Sequence, residues 1–381
     1  MGVGGEKAPG LPGVKMHRYR LHRQILPGQH PYLRQMENAV LHGQAAARLF
    51  LDLKKEGFVP DVVFAHPGWG ETLFVRDVFP DASVVHYCEW YYGNKGSDCS
   101  FDPEFPSTLD DSARVRAWNA LHLLNLEICD FGVSPTAWQK KQHPISYRDK
   151  ISVIHEGIDT DNLSPDPDAV FLTPSGARIQ SGDPVITYVA RNLEPYRGFH
   201  IFMRALELIQ RSHQSCHALI LGGDSVSYGR SPEGAPNWRE KMLKEARIDP
   251  ARTHFFGRVP YDIYRKILQV SMVHLYLTYP FVLSWSMLEA MASGCLVVGS
   301  RTAPVEEVIN DGENGLLVDF FDKRGIADRI LEIFDSPERF AALRDRARKD
   351  IGERFSMRAG FEGYQAVLER STCRKAYRVY G

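Results

Sequence analysis

Short apolar runs with strand character recur along this chain, and stretches of helical spacing separate them, an alternation that few folds accommodate. Strand, crossover helix and strand in succession build a parallel sheet covered by helices. In the first half the strand runs are DVVFAH, SVVHYCEWYY, FGVSP and ISVIHEG, and the segment from Leu33 to Glu56 reads as a helix that Gly57 stops. In the second half PVITYVA, HALILGG, THFFGRV, VHLYLT, LVVGS and GLLVD form a fuller series, with helices over Phe199 to Ile209 and Trp238 to Ala246. Residues 163–184 concentrate Pro, Gly and Ser and read as a boundary between two α/β halves. Ligands of open α/β sheets gather at the carboxyl ends of the strands, so a cleft between the halves is the expected site.

Composition narrows the function classes. The 381 residues are enough for two cores, and 44% apolar with 24% charged residues is an ordinary globular profile. A net charge of −1 gives no general pull toward nucleic acid or anionic lipid, so any anion site must be local. The six cysteines have neither metal-like nor secreted-framework spacing, which suits a reducing cytoplasm. No apolar run approaches membrane-span length, and the opening lacks a signal-peptide core. The closing RSTCRKAYRVYG is mildly basic and reads as a solvated tail.

Residues 279–319 carry the strongest chemical signal. A Ser-rich loop leads into a short helix with Glu289 one turn in. Such a helix start presents unpaired N–H groups and a positive dipole end, suited to a phosphate, while the carboxylate is placed to hold a hydroxyl of the same ligand. The competing reading is local: Ser286 and Glu289 have the S-x-x-E spacing of a capping box.

The run LEAMASGCLVVGS followed by APVEEVINDGENGLLV resembles the sugar-nucleotide signature of family 4 glycosyltransferases, which are retaining enzymes of the two-domain GT-B fold. PDVVFAHPGWGE, VIHEGIDTDNLSP, ITYVARNLEPYRGFHIFMRAL, HALILGGD and HFFGRV extend the resemblance in order over residues 60–319. It implies an α/β chain of two Rossmann-like domains with parallel sheets facing a cleft. The expected division is an acceptor-side domain over 1–170, a nucleotide-sugar domain over 171–355, and a helix over 356–381 that crosses back to the first domain.

The implied reaction moves a sugar from a nucleotide-diphosphate donor to a hydroxyl on a glycan, lipid-linked sugar or small molecule, in the cytoplasm or peripherally at the inner face of the membrane. By resemblance Arg191 and Arg197 clamp the diphosphate, with Arg where the family usually has Lys at the second position. Glu289 matches the ribose-binding glutamate, Ser284 and Trp285 fall where N–H groups meet phosphate and sugar, Gly157 turns the chain beside the cleft, and Arg258 lies near the nucleobase. By the same resemblance His66 faces the donor sugar, a structural hydrogen-bonding role being the competing reading, and Glu89 is an acceptor-side candidate or a satisfied strand-end carboxylate. Trp90, Tyr91 and Tyr92 fit either sugar stacking or packing. The Asp110–Asp111 pair lacks the strand-end D-x-D setting of metal-dependent transferases, so no metal or other cofactor is expected.

Two departures stand out. The family usually opens with an apolar strand, a Gly-rich loop and a helix, whereas this chain opens with Gly, Pro and charge, VKMHRYRL being its first credible strand. The first strand-loop-helix unit is therefore expected to be missing and the N-terminal domain incomplete, with truncation as the favoured explanation. A catalytically incompetent nucleotide-sugar-binding protein is the alternative function. The second departure is Phe281, which occupies the position of the first motif glutamate, the expected partner of a hexose hydroxyl.

Overall fold

A computed structural model describes residues 1–380, with side chains described as far as Cys373. The chain divides into two compact units, one formed by residues 1–155 together with the chain from Phe361 onward, the other by residues 156–360.

The first unit contains β1 (Gly2–Gly5), β2 (Met16–Tyr19), α1 (Arg34–Lys55), β3 (Val62–Ala65), α2 (Val75–Val78), β4 (Ser83–Tyr87), α3 (Leu109–Ile128), β5 (Phe131–Ser134), α4 (Ala137–Gln142) and β6 (Ile151–Val153). Strands β3 to β6 form one parallel sheet in chain order, and β1 pairs with β2 in a separate parallel ladder. The expectation that the opening residues hold no strand is thus corrected. Their sequence, GVGG, has one apolar side chain and no alternation to read. Glycine lets the strand approach its neighbour: a Cβ on Gly2 would lie 2.3 Å from Met16 Sδ. Val3 packs with Tyr19, Ala46, Phe50, Val75 and Val84 in the core between α1 and the sheet.

The second unit contains β7 (Val170–Leu172), β8 (Arg178–Gln180), β9 (Val185–Asn192), α5 (Phe199–Ser212), β10 (His217–Gly223), α6 (Trp238–Glu245), β11 (Thr253–Gly257), α7 (Tyr261–Gln269), β12 (Val273–Tyr276), α8 (Trp285–Ala292), β13 (Leu296–Ser300), α9 (Ala303–Glu306), β14 (Leu316–Val318), α10 (Lys323–Asp335) and α11 (Ala341–Arg354). Its six-stranded sheet is parallel throughout, in the order β11-β10-β9-β12-β13-β14. Chain order reverses beside β9, which makes the ends of β9 and β12 the switch point where such sheets bind ligands. Helix α5 buries Phe199, Phe202, Met203, Leu206 and Ile209 at helical spacing, with Phe202 stacked on Tyr188 at 4.7 Å.

The Pro, Gly and Ser-rich stretch 163–184 holds the antiparallel hairpin β7-β8, whose Phe171 and Ile179 enter the core of the second unit; the division of the chain falls before it, between His155 and Glu156. A final helix, α12 (Met357–Tyr380), places Val367 against Val85 and Val133 of the first unit. It takes in the segment read as a solvated tail: Arg370, Thr372 and Cys373 are exposed, Ser371 is fully buried and donates to the Val367 carbonyl, and the residues after Cys373 lie outside the described side chains.

Several histidines are buried in neutral form. Burial pushes His274, whose Nδ1 meets Thr187 Oγ1 at 2.9 Å, down to about 3. Burial, then the neighbouring His66, takes His122 to about 3, and burial takes His143 to about 4. A folded-state value below the unfolded one near 6.5 means the contribution to stability is complete above about pH 6.5 and is lost as pH falls toward those values. Each excluded proton removes about 1.4 kcal/mol per pH unit inside that window. The urea midpoint is expected to be clearly lower at pH 5 than at pH 7.5; equal midpoints would show that these rings are not held neutral.

Candidate active site

At the end of β9 the chain makes a 3-10 turn, Pro195–Arg197, and enters α5 through Gly198 at φ 69°. A Cβ there would stand 2.3 Å from that of Leu277, so both the left-handed backbone and the space call for glycine. The turn aims Arg197 inward, leaving it 8% exposed. Its Nη1 donates to Thr278 Oγ1 at 2.8 Å, the Val282 carbonyl at 2.9 Å and Tyr276 Oη at 3.3 Å. The rings of Tyr228 and Phe281 lie 5.6 and 5.9 Å from the guanidinium carbon. A buried cation is tolerated only when donors and charge are met in this way. Arg197 therefore holds the loop after β12 to the turn after β9.

Arg191, expected as its partner in a diphosphate clamp, is in a different setting. It is exposed at the end of β9, and its guanidinium makes no ion pair or side-chain hydrogen bond among the described residues. Arg258, beyond the end of β11, is also exposed, with a long contact of 3.5 Å from Nη2 to Asn192 Oδ1. These two cations can meet an anion without giving up strong bonds, whereas Arg197 would have to exchange its present partners.

Phe281 is 5% exposed and packs edge-on against Tyr196 and Tyr228. Its ring belongs to the aromatic shell of Arg197. Glu194 is the residue in this turn that sequence reasoning missed. Fully buried, it accepts the N–H of Ser227 at 3.0 Å on one oxygen and those of Tyr228 and Gly229 at 3.1 and 2.9 Å on the other. It thereby builds the loop after β10, which brings Tyr228 over Arg197. Only a glutamate between a strand and a proline, without a hydrophobic role, hinted at it.

Helix α8 starts at Ser284, whose Oγ accepts the Ser286 N–H at 3.4 Å and whose own N–H donates to Tyr276 Oη at 2.8 Å. The capping-box reading of Ser286 and Glu289 is set aside, because Glu289 turns away from the helix start. Its Oε2 accepts from Tyr264 at 2.7 Å and its Oε1 more loosely from Tyr261 at 3.4 Å. Burial raises its pKa and the two phenols pull it partly back. One oxygen is thus held closely and the other only loosely, in a residue that is partly exposed. Trp285 is half exposed, and its indole lowers the Glu156 carboxyl that burial raises. Gly157, at φ 97°, lies against the backbone of Met357, 2.4 Å from where its Cβ would be; its visible task is this close chain crossing within the second unit.

In the first unit His66 and Glu89 come together. The Gly68 N–H donates to His66 Nδ1 at 3.0 Å, which puts the proton of a neutral ring on Nε2, where it reaches Glu89 Oε2 at 3.1 Å. Trp90 is buried near Trp138, and Tyr92 stacks on Trp118 at 4.2 Å, so these two rings are packing. Asp111 completes a capping box with Thr108 at the start of α3, and Asp110 accepts from the Tyr32 hydroxyl.

Replacing Glu194 by Ala would leave those three N–H groups without their acceptor. Amide exchange at residues 227–229 is expected to accelerate at least tenfold, at a stability cost of about 2–4 kcal/mol; unchanged exchange would mean the loop holds itself.

Comparison with known proteins adds lineage to this geometry. Residues 1–163 match the family model described as glycosyl transferase family 4 group, and residues 174–350 match that of glycosyl transferases group 1. The D-inositol 3-phosphate glycosyltransferase of Corynebacterium aurimucosum is 25% identical over 260 residues, covering 66% of this chain and 59% of that protein. The alpha-maltose-1-phosphate synthase of Mycolicibacterium smegmatis is 26% identical over 294 residues, 70% of this chain and 72% of its own length. The chain spans about half the length of the first curated relatives it matches. Among solved structures, the sucrose-phosphate synthase of Thermosynechococcus elongatus superposes with a TM-score of 0.70 at 16% identity, covering 96% of this chain and 86% of that one. Anabaena HepE in complex with UDP-glucose gives 0.66 at 14% identity, covering 93% and 86%. At these identities the structural likeness speaks for the fold: two Rossmann-like α/β domains of the GT-B type.

Proposed function

Because the chain belongs to the family 4 glycosyltransferases, we propose that it transfers a sugar from a nucleotide-diphosphate donor to a hydroxyl acceptor with retention at the anomeric carbon. The second unit takes the donor and the first the acceptor, as in an acceptor-side domain over 1–170 and a donor domain over 171–355, with the helix over 356–381 rejoining the first. The observation that carries the donor reading is Glu289, held by two phenols one turn into α8, one of them at only 3.4 Å, a bond that a ribose hydroxyl can replace.

The departing diphosphate needs preplaced positive charge as the sugar ring becomes cationic. Arg191 supplies it at the end of β9, Arg258 lies at the end of β11, and the start of α8 adds its dipole. Arg197 fixes the surrounding loops and joins the phosphates by exchanging bonds on donor binding. Charge of the chain itself, without a metal, is assigned this work. The leaving phosphate oxygen takes the acceptor proton, so His66 and Glu89 orient hydroxyls rather than act as the base. The UDP and UDP-glucose bound by the neighbouring Anabaena HepE structures support a nucleoside-diphosphate donor. A synthetic role in glycans at the cytoplasmic side follows from the same reading.

Calorimetric titration with UDP and GDP tests it. Selective binding of one nucleotide is expected, weakened about tenfold or more in Arg191→Ala by loss of a charge-assisted bond, and similarly in Glu289→Ala. Binding unaffected by both variants would place the nucleotide elsewhere. Binding without sugar transfer or donor hydrolysis would favour the incompetent binder.

A further inference from the structure

We infer that Trp69 is a stacking platform for a ring-shaped, hydroxyl-bearing acceptor such as a pyranoside, an inference that rests on the transferase reading. It sits in the turn between β3 and the following residues, HPGWGET, where every neighbour is tied down. His66 is bonded to Glu89 and to the Gly68 N–H. The Pro67 carbonyl accepts from the Asn125 amide at 3.2 Å, and Thr72 donates to the same side chain at 2.8 Å, with Asn125 fully buried. Gly70, at φ 98°, is pressed so close to Ala39 that a Cβ would lie 2.2 Å from its carbonyl oxygen. Glu71 accepts from the Tyr19 hydroxyl at 2.7 Å.

From this fixed turn Trp69 alone projects, 64% exposed. One face of its indole is stacked on the His66 ring, with centroids 4.9 Å apart and planes 21° from parallel. The other face has no ring partner among the described residues, and on so rigid a mount it can be offered to a ligand ring at little ordering cost. Bonded to the same His66, the Glu89 carboxylate is 39% exposed and can accept hydroxyl protons. A flat apolar face with an exposed hydrogen-bond acceptor one ring away matches a sugar or cyclitol ring, which presents C–H groups on its face and hydroxyls at its edge. An apolar protein segment would have no use for that carboxylate.

Saturation-transfer NMR with methyl β-glucopyranoside, and with glycerol as an open-chain control, tests the assignment on the full chain beside a UDP titration. Ring-proton signals are expected from the glucoside and not from glycerol, retained in Trp69→Phe and reduced about fivefold or more in Trp69→Ala, with UDP affinity equal in all three proteins. Equal glucoside signals in wild type and Trp69→Ala, equal response to glycerol, or no glucoside signal from the wild type would each overturn the platform. Failure of UDP to bind the wild type would instead overturn the donor reading, so the two failures are distinct.

Discussion

A single buried guanidinium organises the switch point of the second sheet. Arg197 gathers a hydroxyl, a phenol and a backbone carbonyl from the segment between Tyr276 and Val282, while its own carbonyl accepts from Tyr188 at 2.7 Å. Removing such a cation would strand these partners, and replacing one partner would leave charge uncompensated in the interior. The loops that follow β9, β10 and β12 are thus parts of one interaction. Glu194 supplies the third loop through its three backbone bonds. Phe281, the departure from the family pattern, makes sense here as a ring covering Arg197, where a carboxylate would have drawn the guanidinium into a different pairing.

The two units use the same local device toward opposite ends. In each, a strand ends in an extended residue, a proline opens a 3-10 turn, and a left-handed glycine closes it: His66 to Gly70 in one, Glu194 to Gly198 in the other. In the second unit the residue before the glycine, Arg197, points inward and is consumed by structure. In the first, Trp69 points outward and is left for a ligand. The polar residue ahead of the proline fixes the turn in both cases, by a ring nitrogen to Gly68 or by a carboxylate to Gly229 and its neighbours.

Much of the fold was legible because apolar runs and helical spacing are strong signals: the six strands of the second sheet and the four of the first lie where the runs PVITYVA to GLLVD and DVVFAH to ISVIHEG placed them. The strand Gly2–Gly5 was not legible, since its pairing is carried by backbone and its side chains show no alternation. At the site, the spacing of Ser286 and Glu289 suggested a local cap, and only the fold reveals that Tyr264, from a different helix, takes the carboxylate. The contrast between Arg191 and Arg197 was also hidden: the residue types are the same, and one is turned inside by a glycine and a proline. Trp69 could have been noticed as a large aromatic residue between two glycines, a context where it has little to pack against within its own segment.

The proposed place of the nucleoside diphosphate is at the strand ends of the second unit, between Arg191 and the start of α8. A crystal structure of the full chain grown with UDP measures this most directly. It should show the diphosphate against Arg191 and the ribose hydroxyls on Glu289, with Tyr264 still bonded to the same carboxylate. A nucleotide bound away from these residues, or saturating UDP with the strand ends empty, would contradict the account.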